Sequence, residues 1–136
     1  MIETTKPSLS FDMPEYFGRI DVISKGDRET ELICLANEGN VHILFPQFLN
    51  ILNYTEWFFE ENRTPLNIPK SNPANKWRYP VVFATYDQMK SSTYSRYSIE
   101  AYKNETKLWI ILSLSNIIEV ISNKDPVITF VQNSNS

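Results

Sequence analysis

Alternating apolar and polar positions predict β-strands along much of the chain. An alternation with a period of two residues is typical of half-buried strands, and it occurs in both halves of the sequence. Turn-forming residues such as Lys25-Gly-Asp27 and Asn37-Glu-Gly-Asn40 separate the early strands. The predicted strands are Ser8–Met13, Glu15–Ser24, Glu29–Ala36, Val41–Phe45, Trp77–Asp87, Tyr94–Lys103, Lys107–Leu112 and Val127–Val131.

Two segments have helical spacing instead. Pro46 suits the first position of a helix, because its fixed φ matches the first turn. The apolar face of the helix that it would start consists of Phe48, Ile51, Leu52, Thr55, Phe58 and Phe59. Ser113 or Ser115 is predicted to cap a second, short helix that ends before Pro126. Its apolar positions are Leu114, Ile117, Ile118 and Ile121.

The two helices give the chain an apparent internal repeat. At an offset of 66 residues Pro14 falls on Pro80, and both predicted strand-to-helix junctions coincide. We therefore predict an α+β fold, a single domain over 1–136, built from two ββββα pseudo-repeats at 8–60 and 74–124. A proline-rich linker at 61–76 joins them, and a polar tail covers 132–136. An α+β domain with accidental similarity between its halves is the alternative.

A tandem ββββα arrangement resembles the Whirly and Pur-alpha families. The resemblance is carried by Gly39–Leu49 and Thr106–Ser115, in each of which a predicted strand continues directly into a predicted helix. The resemblance covers nearly the whole chain and concerns the order of strands and helices. Because both families bind single-stranded nucleic acid, the resemblance implies a similar ligand here.

Composition argues against several kinds of chemistry. The 136 residues include one Cys and one His, which excludes a disulfide scaffold and a Cys/His zinc site. With three Gly there is no glycine-rich phosphate loop. Cys34 and His42 lie among apolar neighbours and are interpreted as packed strand residues. Asp87 with Glu105-Thr-Lys107 only loosely fits a metal-dependent nuclease, so we expect no enzyme, no metal and no cofactor.

One predicted sheet face combines aromatic and basic side chains. Strand alternation separates it from an apolar set that includes Leu108, Ile110 and Leu112. Aromatic rings that stack on bases, interleaved with cations for phosphates, are what a single-strand-binding surface requires. The same residue types are also enriched at protein interfaces. The predicted nucleic-acid-binding residues are Tyr86, Tyr94, Arg96, Tyr102, Lys107 and Trp109.

Charge is distributed unevenly and leaves two hypotheses open. Residues 8–60 carry three basic and nine acidic side chains, whereas residues 61–124 carry nine basic and five acidic ones. The first hypothesis is a non-enzymatic single-stranded DNA- or RNA-binding protein. The second is a small acidic inhibitor or adaptor, of the immunity or anti-defence type, that binds a basic protein. A homo-oligomer is compatible with either.

The face of the first half that matches the aromatic and basic face of the second half is smoother and apolar, which suits burial against the other half or a second subunit. Its residues are Ile20, Thr30, Leu32, Cys34, Ala36 and Ile43. The sequence has no membrane-length apolar run and no secretory-signal pattern at its first residues. We therefore expect an intracellular, cytoplasmic protein with no membrane partner.

Overall fold

A computed structural model describes residues 2–55, 66–68, 70–71, 76–77, 79–89 and 105–133. Within these ranges the chain is mostly β, with one four-residue helix, α1 (Tyr86–Met89). In chain order the strands are β1 (Ile2–Glu3), β2 (Arg19–Ser24), β3 (Thr30–Leu35), β4 (Gly39–Phe45), β5 (Phe48–Tyr54), β6 (Leu66–Asn67), β7 (Lys70–Ser71), β8 (Lys76–Trp77), β9 (Val81–Thr85), β10 (Lys107–Leu112), β11 (Ile117–Ser122) and β12 (Val127–Gln132).

The longer strands form two antiparallel sheets of four strands each. The first sheet has the order β12-β4-β3-β2, and the second sheet has the order β5-β11-β10-β9. Both sheets contain strands from both ends of the sequence, because β5 pairs with β11 and β12 pairs with β4. Two smaller pairs, β1 with β6 and β7 with β8, complete the described strands.

The two sheets share an apolar core, here called the sandwich core. From the first sheet it takes the inward-facing side chains predicted to be buried, and Ile20, Thr30, Leu32, Cys34 and Ile43 are all under 4% exposed. The second sheet contributes every other residue of its strands, as alternation requires. The fully packed members of this core are Phe17, Ile20, Leu32, Cys34, Val41, Ile43, Phe45, Val81, Trp109, Ile111, Ile118 and Val120.

The second sheet also has a core on its opposite face, here called the back core. β1, β6 and α1 cover this face and contribute Ile2, Leu66 and Met89. The remaining buried members come from the second sheet itself and are Val82, Ala84, Leu108, Ile110, Leu112, Ile117 and Ile121. Strands β10 and β11 are therefore buried on both faces, with only Lys107 partly exposed.

A tight turn between β10 and β11 holds β2 of the other sheet. The Asn116 side-chain amide accepts a hydrogen bond from the Ile20 N–H and donates one to the Ile20 carbonyl, each at 3.0 Å. Leu114 and Ser115 donate backbone hydrogen bonds to Phe17 and Gly18 in the same region. This contact connects the two sheets at the free edge of β2.

The opposite edge of the first sheet depends on Gly39. A Cβ atom at this position would lie 2.5 Å from the Val131 carbonyl oxygen and 2.9 Å from the Gln132 Cα. Gly39 has a positive φ of 157° and pairs with Gln132 in the ladder. The glycine therefore allows β12 to approach β4 closely enough to extend the sheet.

The predicted α+β fold with two ββββα repeats is wrong. Where the first helix was expected after Pro46, the chain forms β5, and where the second was expected it forms a turn followed by β11. β11 is buried on both faces, so alternation gives no signal there, and β5 carries apolar residues at both odd and even positions although it is only partly buried. Pairing of β11 with β5 and β10 decides between the two possibilities. The topology that carried the family resemblance is thus absent from the described ranges.

Several strands were predicted within one or two residues of their bounds, namely β3, β4, β10 and β12. Ser8–Met13 forms no strand, although Phe11 and Met13 do pack against the sandwich core. The predicted strand Trp77–Asp87 is reduced to β9 and then turns into α1. Tyr94–Lys103 and most of the linker at 61–76 lie outside the described residues.

Burial predicts that the Cys34 thiol is unreactive in the folded protein. Cys34 is fully buried, and desolvation raises the pKa of its thiol well above the ordinary range. The reactive thiolate is therefore disfavoured, and alkylation by iodoacetamide at pH 8 should be many-fold slower than in denaturant. Mass spectrometry of labelled protein measures both rates; equal rates would contradict the burial of Cys34.

The contact between the turn and β2 predicts an asymmetric effect of two asparagine substitutions. Asn116→Ala removes both hydrogen bonds to Ile20 and should lower the free energy of unfolding by about 1–3 kcal/mol. Asn53→Ala removes only the 3.2 Å contact between the two side-chain amides and should cost less than about 1 kcal/mol. Urea denaturation followed by circular dichroism compares the two variants. Equal losses would show that Asn116 does not connect the sheets.

Candidate protein-interaction surface

The structure places three of the six predicted nucleic-acid-binding residues. Tyr86, Lys107 and Trp109 are described, whereas Tyr94, Arg96 and Tyr102 lie outside the described residues. The prediction put all six on one exposed sheet face. The three described side chains do not form such a face, as their surroundings show.

Trp109 lies inside the sandwich core and is only 4% exposed. Its ring packs at 4.8 Å from the Phe83 ring and edge-on to Phe45 at 6.3 Å, between centroids. The placement of Trp109 on an outer, base-stacking face is therefore wrong for this structure. The first sheet covers the side of β10 from which Trp109 projects.

Lys107 and Tyr86 lie on different sides of the second sheet. The Lys107 ammonium is 2.9 Å from the Asp125 carboxylate and 5.0 Å from the centre of the Phe83 ring. Lys107 thus sits at the margin of the sandwich core beside Trp109. Tyr86, in α1, packs against the back core. The second sheet therefore separates Tyr86 from Lys107 and Trp109, so these three predicted nucleic-acid-binding residues do not share one surface.

A different sheet face remains accessible to solvent. The outward side chains of the first sheet form four neighbouring columns that are kept in register by continuous antiparallel ladders. None of them is buried, and Ile23, Val127 and Val131 are 42%, 56% and 51% exposed. We define this outer face by twelve residues: Arg19, Asp21, Ile23, Glu31, Ile33, Leu35, Asn40, His42, Leu44, Val127, Thr129 and Val131.

Half of the outer face is apolar, which is unusual for the solvent side of an antiparallel sheet. The apolar members are Ile23, Ile33, Leu35, Leu44, Val127 and Val131. They occur on all four strands rather than as a single isolated residue. Ile23, Val127 and Val131 are exposed, whereas Ile33, Leu35 and Leu44 are half-buried. Several apolar side chains on one accessible face mark an interaction site on many soluble proteins.

Charged side chains lie between the apolar ones and are paired with one another. Arg19 contacts Asp21 at 3.0 Å, and Glu31 lies 3.6 Å from the Lys25 ammonium and 3.8 Å from the His42 imidazole. These groups are partly exposed, so the pairs add little to stability. Their positions give the face a pattern of polar groups that a partner could match.

Acidic residues lie at both ends of the outer face. The loop between β2 and β3 carries Asp27 and Glu29 together with Lys25 and Arg28, and the loop between β3 and β4 carries Glu38. Asp27 and Glu38 are exposed, and Arg28 in the same region directs its guanidinium toward the Phe48 carbonyl oxygen at 3.4 Å. The face and its two loops therefore carry more acidic than basic side chains.

Leu32, Cys34 and Ile43 were predicted to form a face suited to burial, and all three are fully buried. Ile33, Leu35 and Leu44, on the opposite side of β3 and β4, were assigned to neither face. Glu31–Leu35 and Val41–Leu44 contain apolar residues at both odd and even positions, and this pattern was the signal that could have revealed the outer face. On a strand with one face in solvent, apolar side chains on the solvent side are the unexpected ones.

The described ranges contain no group of three or more His, Cys, Asp or Glu side chains that could hold a metal ion. No helix among the described residues has the length and apolar character needed to cross a membrane. In comparisons with protein-family models, curated proteins and solved structures, none matches the chain.

The surroundings of Trp109 predict that its replacement affects stability. Trp109→Ala removes a large side chain from the sandwich core and should lower the free energy of unfolding by about 3–5 kcal/mol. Lys107→Ala, which removes a partly exposed ion pair next to it, should cost about 1 kcal/mol or less. Urea denaturation of both variants provides the comparison. A stable Trp109→Ala protein would mean that the ring is not part of the core.

Proposed function

We propose that this chain is a non-enzymatic protein-binding module, of the adaptor or inhibitor type, that binds a basic protein through the outer face of the first sheet. The observation that carries the proposal is the set of apolar side chains on the solvent side of all four strands. They lie among ion-paired residues, and the face with its two end loops carries five carboxylates against three Lys and Arg side chains. A mixture of apolar and polar area of this kind is also typical of non-obligate protein interfaces.

The size of the face indicates which regions must take part. Four strands about 4.8 Å apart and six residues of about 3.3 Å each give a face of roughly 400 Å². A stable protein interface buries about 800 Å² on each partner. The loops that contain Asp27 and Glu38 are therefore expected to contribute to the interface as well.

Charge determines the kind of partner that fits. An excess of carboxylates on the outer face and its end loops favours a partner whose matching surface carries Lys and Arg beside apolar side chains. Exposed charges of this kind mainly raise the association rate and make it depend on salt. The apolar side chains of the outer face supply binding energy that salt does not screen.

Binding of single-stranded nucleic acid stays a prediction from the sequence. Its proposed surface included Trp109, which lies in the sandwich core, Lys107, which lies at the margin of that core, and three residues outside the described ranges. The accessible face in the described part of the chain is apolar and acidic, which favours protein over a phosphate backbone. Purification with and without nuclease distinguishes a protein partner from nucleic acid.

A charge introduced at the centre of the outer face should abolish partner binding. Ile33 lies on a central strand, so Ile33→Lys places a cation among the apolar residues that a basic partner would contact. The tagged full chain and this variant are purified from cells with nuclease, and the stoichiometric partner is identified and its affinity measured. We expect wild type to retain the partner and Ile33→Lys to weaken binding at least tenfold.

Leu114→Lys is the matched control, because Leu114 is 49% exposed and lies in the turn between β10 and β11, away from the outer face. It should bind the partner as wild type does, and circular dichroism checks that both variants are folded. Equal loss in both variants, or no loss in either, would contradict the assignment of the outer face. Association that nuclease destroys would support nucleic acid instead.

A further inference from the structure

β12 is an edge strand with an unusual sequence. Its six residues, Val-Ile-Thr-Phe-Val-Gln, include no charge, no proline and no glycine, and four are β-branched. It pairs with β4 on one side and has no strand on the other side within the described residues. Long uncharged edges of this kind are templates for the addition of another strand.

The hydrogen-bonding pattern of β12 shows which backbone groups face its free edge. The Asn133 N–H donates to the Glu38 carbonyl at 3.3 Å, and the register from there to Val127 is unbroken. Since backbone groups alternate in direction, Thr129 and Val131 direct theirs to β4. Ile128, Phe130 and Gln132 therefore direct N–H and C=O groups outward.

The other sheet edges are protected in the described part of the chain. On β2, Asn116 occupies the backbone groups of Ile20, and Arg19 and Asp21 add charges. On β9, Thr5 exchanges two hydrogen bonds with Phe83 at 2.7 and 2.9 Å. β5 pairs with β11 through an irregular register at its start. Charges, bulges and covering segments are the usual means of blocking edge pairing. In the described ranges β12 carries no charge and no register shift, and the Phe11 ring stacks on the inward-facing ring of Phe130.

We propose that β12 pairs antiparallel with β12 of a second copy, which joins the two first sheets into one sheet of eight strands. The two-fold axis passes through Thr129, so that Thr129 faces its own counterpart. In this register Val127 faces the second copy's Val131, and Ile128 faces the second copy's Phe130. The outward backbone groups of Ile128 and Phe130 then hydrogen-bond across the seam.

Both the register and the charges support a second copy as the occupant. Pairing about Thr129 keeps inward residues opposite inward residues, and it produces Val–Val, Thr–Thr and Ile–Phe neighbours, which are favourable cross-strand pairs. The seam contains no like charges, although each chain has a net charge of −3. Antiparallel pairing also brings exposed Lys124 toward the second copy's exposed Glu38. A two-fold contact uses both free edges and closes as a dimer.

A dimer of the full chain is therefore expected, with twice the 15.9 kDa mass of one chain. Light scattering coupled to size-exclusion chromatography measures this mass over a wide range of concentration. Thr129→Lys puts two cations opposite each other on the axis and should raise the dimer dissociation constant at least tenfold. Ile23→Lys, the matched control, adds a lysine to the outer-face side of the other edge strand and should leave the dimer intact.

Cross-linking tests the register itself. Thr129 residues facing each other form a non-hydrogen-bonded pair with Cα atoms about 4.5 Å apart, which suits a disulfide. Thr129→Cys should form an intermolecular disulfide under mild oxidation, whereas Ile23→Cys should not. Because Cys34 is buried, it does not interfere.

A monomeric wild-type chain at all concentrations would overturn the proposal. So would a Thr129→Lys protein that dimerises as wild type does, or equal cross-linking at positions 129 and 23. The proposal is independent of the partner proposed above. Ile33→Lys should leave the dimer intact, so failure of partner binding and failure of dimer formation are distinguishable.

Discussion

The burial of β10 and β11 on both faces is the constraint on which the rest of the structure depends. Each strand offers apolar side chains at both parities, so the second sheet cannot have a solvent face. The first sheet must cover one side, and β1, β6 and α1 cover the other. Glu119 is a charged residue buried in β11, and its carboxylate accepts a hydrogen bond from the Tyr54 hydroxyl of β5. A buried carboxylate without such a donor would be costly.

This arrangement leaves the first sheet as the layer with an accessible face. Asn116 fixes one edge of that sheet to the second sheet, while Gly39 allows β12 to form the other edge. The outer face and the β12 edge are therefore two properties of the same layer. Val127 and Val131 belong to both, because their side chains point outward on the strand whose backbone is open. Association of two copies along β12 would extend the outer face rather than cover it.

The sequence predicted individual strands better than their arrangement. Val41–Phe45 and Lys107–Leu112 were found because apolar residues in them are flanked by clear turns. Phe48–Tyr54 and Ile117–Ser122 were interpreted as helices, because apolar residues at both odd and even positions also match helical spacing. Of the two strands that form instead, β11 is buried on both faces and β5 is only partly buried. The same ambiguity affected the candidate site. Trp109 was placed outside because Leu108, Ile110 and Leu112 were placed inside, whereas both sets are buried.

By itself the sequence determined that β3, β4, β10 and β12 are strands, that Cys34 belongs to a core, and that acidic residues concentrate in the first half. These features depend on local propensity, alternation and composition. Only the tertiary structure decided that β5 and β12 join sheets built mainly from the opposite half, and that the side of β10 carrying Trp109 is covered. Both features depend on pairing between strands that are distant in the sequence, and the local pattern of residues does not show which strands pair. For that reason the sequence pointed to a face with Trp109, whereas the accessible face is the one that contains Ile33 and Leu44.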